Sequence, residues 1–122
     1  MFTVLIAEDC DSDYILLEHQ LKKLLLSVEC ERAANLRELT DQLRRRWDFI
    51  VSDYHLSDVE GEDLLSLVAQ NHFDAPCLIL SGLIESVPSI DALPNIHACI
   101  QKGDRAALRN AVLAVANKGE HH

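Results

Sequence analysis

The sequence predicts an α/β domain of the (βα)5 kind, a doubly wound five-stranded parallel sheet with helices on both faces. Three observations carry this expectation. Short, continuously apolar runs recur along the 122 residues. They are too short for buried helices and lack the polar alternation of surface strands, so they fit central parallel strands. Segments with apolar residues at helical spacing separate them. The runs also end in chemically capable residues: Val4-Leu5-Ile6-Ala7 in Glu8-Asp9, Phe49-Ile50-Val51-Ser52 in Asp53, Cys77-Leu78-Ile79-Leu80 in Ser81-Gly82, and Ala98-Cys99-Ile100-Gln101 in Lys102. As parallel neighbours, they would bring those endings to one sheet edge, where open α/β sheets bind their ligands.

The elements follow in order. Val4 to Ala7 is the first strand. Asp11, Ser12 and Asp13 offer a cap and first-turn acids to a helix carrying Tyr14, Leu17, Leu21, Leu24 and Leu25. Ser27 to Ala33 is a second, more polar strand suited to the sheet edge. Asn35 caps a helix whose Leu36, Leu39 and Leu43 line one side. Phe49 to Ser52 is the third strand, followed by a polar loop to Gly61, which opens a helix with Leu64, Leu65, Leu67 and Val68. Pro76 precedes the fourth strand, a position that tolerates its missing N–H. Glu85 to Ala92 is a weak helix, since Pro88 fits only its first turn and Pro94 ends it. Ala98 to Gln101 is the fifth strand, and Asp104 leads into a last helix over Arg105 to Asn117 with Leu108, Ala111, Val112 and Val115 facing inward. Short crossovers of this kind are right-handed. One domain over residues 1–118 is expected, with 119–122 a tail in which His121 and His122 resemble part of an expression tag.

A net charge of -9 disfavours nonspecific nucleic-acid binding. Arg44-Arg45-Arg46 is a compact basic run, read as the end of a helix, where cations suit the dipole. No apolar stretch is of membrane-spanning length, and the N-terminus lacks a signal peptide's basic segment and cleavage site. Cys10, Cys30, Cys77 and Cys99 match no compact zinc spacing, and three of them fall in or beside apolar strands as small hydrophobes. His19, His72 and His97 form no metal-ligand spacing.

The sheet edge therefore collects Glu8, Asp9, Asp53, Ser81 and Lys102. Three carboxylates in one cleft repel each other and need a cation or raised pKa values. Carboxylate oxygens suit a hard cation such as Mg²⁺. A lysine with a small hydroxyl beside it suits a phosphoryl group.

This constellation resembles the receiver domain of two-component response regulators, over essentially the whole chain. It is carried by the acidic pair after the first strand, Asp53 after the third, Gly61 eight residues further on, Ser81 after the fourth and Lys102 after the fifth. The resemblance implies the flavodoxin-like, CheY-like strand order 2-1-3-4-5. It implies that Asp53 accepts a phosphoryl group from the phosphohistidine of a histidine kinase or phosphotransfer domain. Mg²⁺ would be bound by Glu8, Asp9, Asp53 and the backbone carbonyl of His55. Ser81 would contact the phosphoryl group, Gly82 would leave room beside it, and Lys102 would pair with the carboxylates and then with a phosphoryl oxygen. Enzymatic content would be confined to Mg²⁺-dependent self-phosphorylation and slow self-dephosphorylation. A cytoplasmic phosphorelay protein follows, with room for an output domain in a longer parent chain and for a homodimer, and with neither direct nucleic-acid contact nor membrane insertion.

Departures from the family pattern concern signalling more than chemistry. Ser57 stands where a proline is usual, which frees φ in that loop. Cys99 stands where a switch Tyr or Phe is usual, and has little volume to exchange between core and surface. Gly103 replaces a frequent proline after the lysine. With Cys99 there, coupling would fall to Ser81 drawing Leu83 with it, and the side chain of His55 over the site mouth would tune dephosphorylation. One alternative is a pseudo-receiver, a protein-interaction module that signals without phosphate. Another is a metal-dependent phosphohydrolase, with His55 as proton donor two residues after Asp53; the short chain lacks the cap such an enzyme needs.

Overall fold

A computed structural model describes residues 2–56, 58, 61–71, 75–82 and 96–120. Five strands are described: β1 (Phe2–Ala7), β2 (Val28–Ala33), β3 (Phe49–Asp53), β4 (Cys77–Ser81) and β5 (Ile96–Gln101). Four helices accompany them: α1 (Asp11–Leu24), α2 (Leu36–Gln42), α3 (Gly61–Asn71) and α4 (Arg105–Glu120). The strands form one parallel sheet in the order β2-β1-β3-β4-β5. The predicted fold class and strand order are both realised. The polar strand, β2, is indeed an edge.

Alternation along each buried strand feeds two cores. Val4, Ile6, Phe49, Val51, Leu78 and Leu80 pack with α1 and α4 through Leu17, Leu21, Leu108, Val112 and Val115. Leu5, Ala7, Ile50, Cys77 and Ile79 face the other way, against Leu39 of α2, Leu43 just after it, and Leu64 and Val68 of α3. All five residues of β3 and of β4 are buried. The continuous apolar runs are therefore strands covered on both faces.

Several local expectations change. Asn35 does cap α2, its side chain accepting from the Glu38 amide, but Leu36 is exposed rather than in the core. Leu36 is the first helical residue, and its amide is held by the Asp58 carboxylate at 3.0 and 3.2 Å. Helix α2 ends at Gln42, so Arg44–Arg46 follow it rather than occupy its last turn. There the chain tightens through Arg44 N–H to Asp41 O and Arg45 N–H to Gln42 O. That turn lays Arg45 over the Trp47 ring at 4.9 Å. The cap position of α1 is Cys10, with no side-chain cap bond, while Asp11 and Asp13 lie in the first turn. Strand β5 begins two residues early and shifts register against β4 between Cys77 and Leu78. Helix α4 runs two residues into the segment expected as a tail. The expected helix over 85–92, with Leu83, Ser57 and His72, lies outside the described residues.

Candidate functional site

The C-terminal ends of β1, β3 and β4 and the residue after β5 meet as expected. Backbone pairing sets their positions. Glu8 N–H donates to Ala33 O at 3.0 Å, Tyr54 N–H to Leu80 O at 2.8 Å, and Lys102 N–H to Ser81 O at 2.9 Å. The last bond continues the β4–β5 ladder to Lys102. Beyond it, Gly103 turns with φ +91°, a conformation that a proline ring cannot adopt. Glycine at 103 therefore suits this particular turn. Asp104 then caps α4, accepting from the Ala107 amide at 3.1 Å.

Lys102 is the electrostatic centre. Its Nζ lies 2.9 Å from Asp53 Oδ2, 3.2 Å from Glu8 Oε2 and 3.4 Å from Asp13 Oδ2. The other Asp53 oxygen, Oδ1, accepts from the His55 backbone amide at 3.1 Å. The other Glu8 oxygen, Oε1, accepts from the Cys10 amide at 3.1 Å. Glu8, Asp53 and Ser81 are buried. Asp9 completes a trio with Glu8 and Asp53: one carboxylate oxygen from each lies within 4.8 Å of the others. Asp9 is the more open member of the three.

Burial pushes the Glu8 carboxyl upward. The Cys10 amide opposes this, the Asp53 charge adds to it and Lys102 opposes it, but the net direction is up. Burial pulls the Lys102 ammonium down, and the hydrogen bond and charge of Asp53, with Glu8, reverse that to a value above the ordinary lysine range. One lysine therefore does not offset the burial of Glu8. Three convergent carboxylates with excess negative charge form a donor set that fits a hard divalent cation.

The Glu8 shift has a measurable consequence. Below the ordinary value of 4.5, Glu8 is protonated in folded and unfolded chains alike. As pH rises through that value the unfolded chain ionises first, so this group removes stability until folded Glu8 ionises too. The Lys102 contribution is fully present below 10.5 and is lost only at more alkaline pH, so it stays constant through this window. In metal-free buffer, Glu8→Gln should gain stability relative to wild type as pH rises from about 4 to 7. Urea unfolding at each pH reads the difference. A flat or falling difference would contradict a strained buried carboxylate.

Two contributors were not singled out from sequence. Arg32 donates from Nε to Glu8 O at 2.9 Å and pairs with Asp11 at 2.7 Å, tying the start of α1 to β2. Its guanidinium also lies 5.2 Å from the Tyr14 ring centre. Asp13, read only as a first-turn acid, reaches Lys102. Charge in an EDxDxD stretch is the only sequence signal for Asp13, and nothing local marks Arg32. The His55 side chain is exposed, its ring edge-on to Tyr54 at 4.9 Å. Cys99 is partly buried against the core containing Ile79, and burial raises its thiol pKa. Cys77 is fully enclosed, its pKa pushed up to about 12 by burial. A Cβ at Gly82 would meet no described atom within 4 Å.

No protein-family profile and no curated protein matches the chain. Solved structures do. The signal receiver domain of an HD domain-containing protein from Pseudomonas fluorescens superposes with TM-score 0.82 at 18% identity, covering 98% of each chain. A response regulator protein from Burkholderia pseudomallei, solved with a phosphorylated aspartic acid, a calcium ion and citrate, gives 0.74 at 19% identity, covering 99% of this chain and 72% of that one. The N-terminal domain of a response regulator/sensory box/GGDEF 3-domain protein from Carboxydothermus hydrogenoformans gives 0.76 at 16% identity, covering 98% of this chain and 99% of that one. At these identities the likeness establishes the fold, which is that of receiver domains.

Proposed function

We propose that this chain is a phosphoacceptor receiver domain of two-component signalling. The observation that carries the reading is Lys102 bridging buried Asp53 and Glu8 at the end of a parallel sheet, with Asp9 alongside. In the proposed reaction an Asp53 carboxylate oxygen attacks the phosphorus of a phosphohistidine. The P–N bond breaks, its electrons return to the imidazole, and an acyl phosphate forms on Asp53. The His55 amide on one Asp53 oxygen and Lys102 on the other hold the carboxylate in a single orientation. Lys102 then has a new anion to neutralise, and the buried Ser81 hydroxyl is the proposed contact for a phosphoryl oxygen.

Glu8, Asp9, Asp53 and the His55 carbonyl would hold Mg²⁺. When bound, such an ion offsets carboxylate repulsion and polarises phosphoryl oxygens. Histidine kinase and phosphotransfer domains are the proposed partners, in the cytoplasm. No described helix is long and apolar enough to cross a membrane. An output domain in a longer parent chain is supported by the multidomain Carboxydothermus neighbour. The partly buried Cys99 favours weak coupling to the surface of β5 and the helices beside it, since a thiol has little area to exchange.

The test is phosphoryl uptake. Wild type incubated with acetyl phosphate and Mg²⁺ should gain one phosphoryl group by intact-protein mass spectrometry. No uptake, even from a cognate phosphorylated kinase, would favour the phosphate-independent interaction module instead.

A further inference from the structure

We propose that Asp13 is a positioning residue for Lys102, occupying the ammonium N–H that a phosphoryl group approaching Asp53 must take and giving it up when that group arrives. The inference rests on the receiver reading and deepens it. An ammonium has three N–H donors and no acceptor. Lys102 has three carboxylate partners within reach: Asp53, Glu8 and Asp13. Its donors are therefore all engaged before any phosphoryl group is present. To bind a new oxygen, the lysine must release an old one.

The three partners differ in how readily they can be released. The Glu8 and Asp53 side chains are 3% and 7% exposed. Until an oxygen of Asp53 has bonded to phosphorus, withdrawing the lysine from either leaves a buried charge without its cation, which is strongly unfavourable. The Asp13 side chain is 49% exposed and its contact is the longest, 3.4 Å. Water can replace the lysine there, and an exposed pair of this kind contributes little. Space for the separation also exists. Asp13 and Lys102 both line a cavity of about 250 Å³ between α1 and the start of α4, walled by Leu16, Leu17, Ile100 and Leu108. Asp13 itself is held in the first turn of α1, whose start Arg32 ties to β2. The pair is thus a cost on phosphorylation twice over: a contact to be broken, and a negative charge near the incoming group.

Phosphorylation rate constants with acetyl phosphate and Mg²⁺ test this for wild type, Asp13→Asn and Asp13→Glu. Asp13→Asn should be faster by about threefold, the rate equivalent of one exposed ion pair. Asp13→Glu should return to the wild-type rate. The NMR resonance of the Lys102 ε-methylene should move, in unphosphorylated Asp13→Asn, toward its position in phosphorylated wild type. A folded Asp13→Asn protein that is no faster, a Glu variant as fast as the Asn variant, or an unmoved Lys102 resonance would each overturn the assignment. A wild type that takes up no phosphoryl group would overturn the receiver reading and this inference together. A labelled wild type with an equally fast Asp13→Asn would overturn this inference alone.

Discussion

Asp53→Asn protein, incubated with acetyl phosphate and Mg²⁺, should show no added mass where wild type gains one phosphoryl group. The substitution is nearly isosteric, and an asparagine carbonyl can still accept from the His55 amide or from Lys102. It removes the anionic oxygen that would attack phosphorus in the proposed reaction, and an amide is too weak a nucleophile to replace it. The expected effect is complete loss, not a slower rate. Nearby acids do not offer an equivalent. Glu8 is buried, with one oxygen on the Cys10 amide and the other on Lys102. Asp9 is more open, but it begins the loop into α1 rather than ending the fully buried β3. Labelling of the Asn variant at the wild-type level would move the acceptor to one of these residues and remove Asp53 from the centre of the mechanism.

Asp9→Ala should lose Mg²⁺ affinity by at least about 100-fold, the upper end of what removing even an outer partner of a metal site costs. The reason is geometric. Asp9 supplies one of the three carboxylate oxygens that lie within 4.8 Å of one another, and it is the most open of the three. Glu8 and Asp53 each share an oxygen with the ammonium, and a cation must compete for them. Calorimetric titration of both proteins reads the effect. Equal Mg²⁺ affinity would exclude Asp9 from the proposed metal site. The fold should be little disturbed by this change, because Asp9 is the more open member of the trio and packs in neither core.

Much of this architecture is legible before folding is considered. Runs such as Val4–Ala7 and Cys77–Leu80 carry their own evidence, because burial on both faces demands an unbroken apolar sequence. Leu108, Val112 and Val115 declare the inner face of α4 through their spacing, and all are buried. Asn35 declares a helix start because its short side chain satisfies a backbone donor three residues on. Less was legible where competing local contacts decide an outcome. Leu36 fits the apolar stripe of α2 but stands at the first turn, where its amide is tied to Asp58 and its side chain stays outside. The arginines after α2 fit a helix end, yet the chain tightens into a turn under Trp47, whose indole donates to Gln42 O at 2.7 Å.

The order of residues along the chain already specifies the kind of fold and the sheet edge at which these acids, the hydroxyl and the lysine collect. These follow from unbroken apolar runs, from apolar spacing of period 3.6 and from which residue ends each strand, all of which are local. The tertiary structure alone decided how those residues share their charges. Lys102 meets Glu8, Asp13 and Asp53 across 94, 89 and 49 residues of chain. No periodicity encodes such a meeting. It depends on the register of β1, β3, β4 and β5 and on the angle at which α1 leaves the sheet, which Arg32 constrains from β2. That is why Asp13 reads as an ordinary first-turn acid in the sequence and stands as a third partner of the site lysine in the fold.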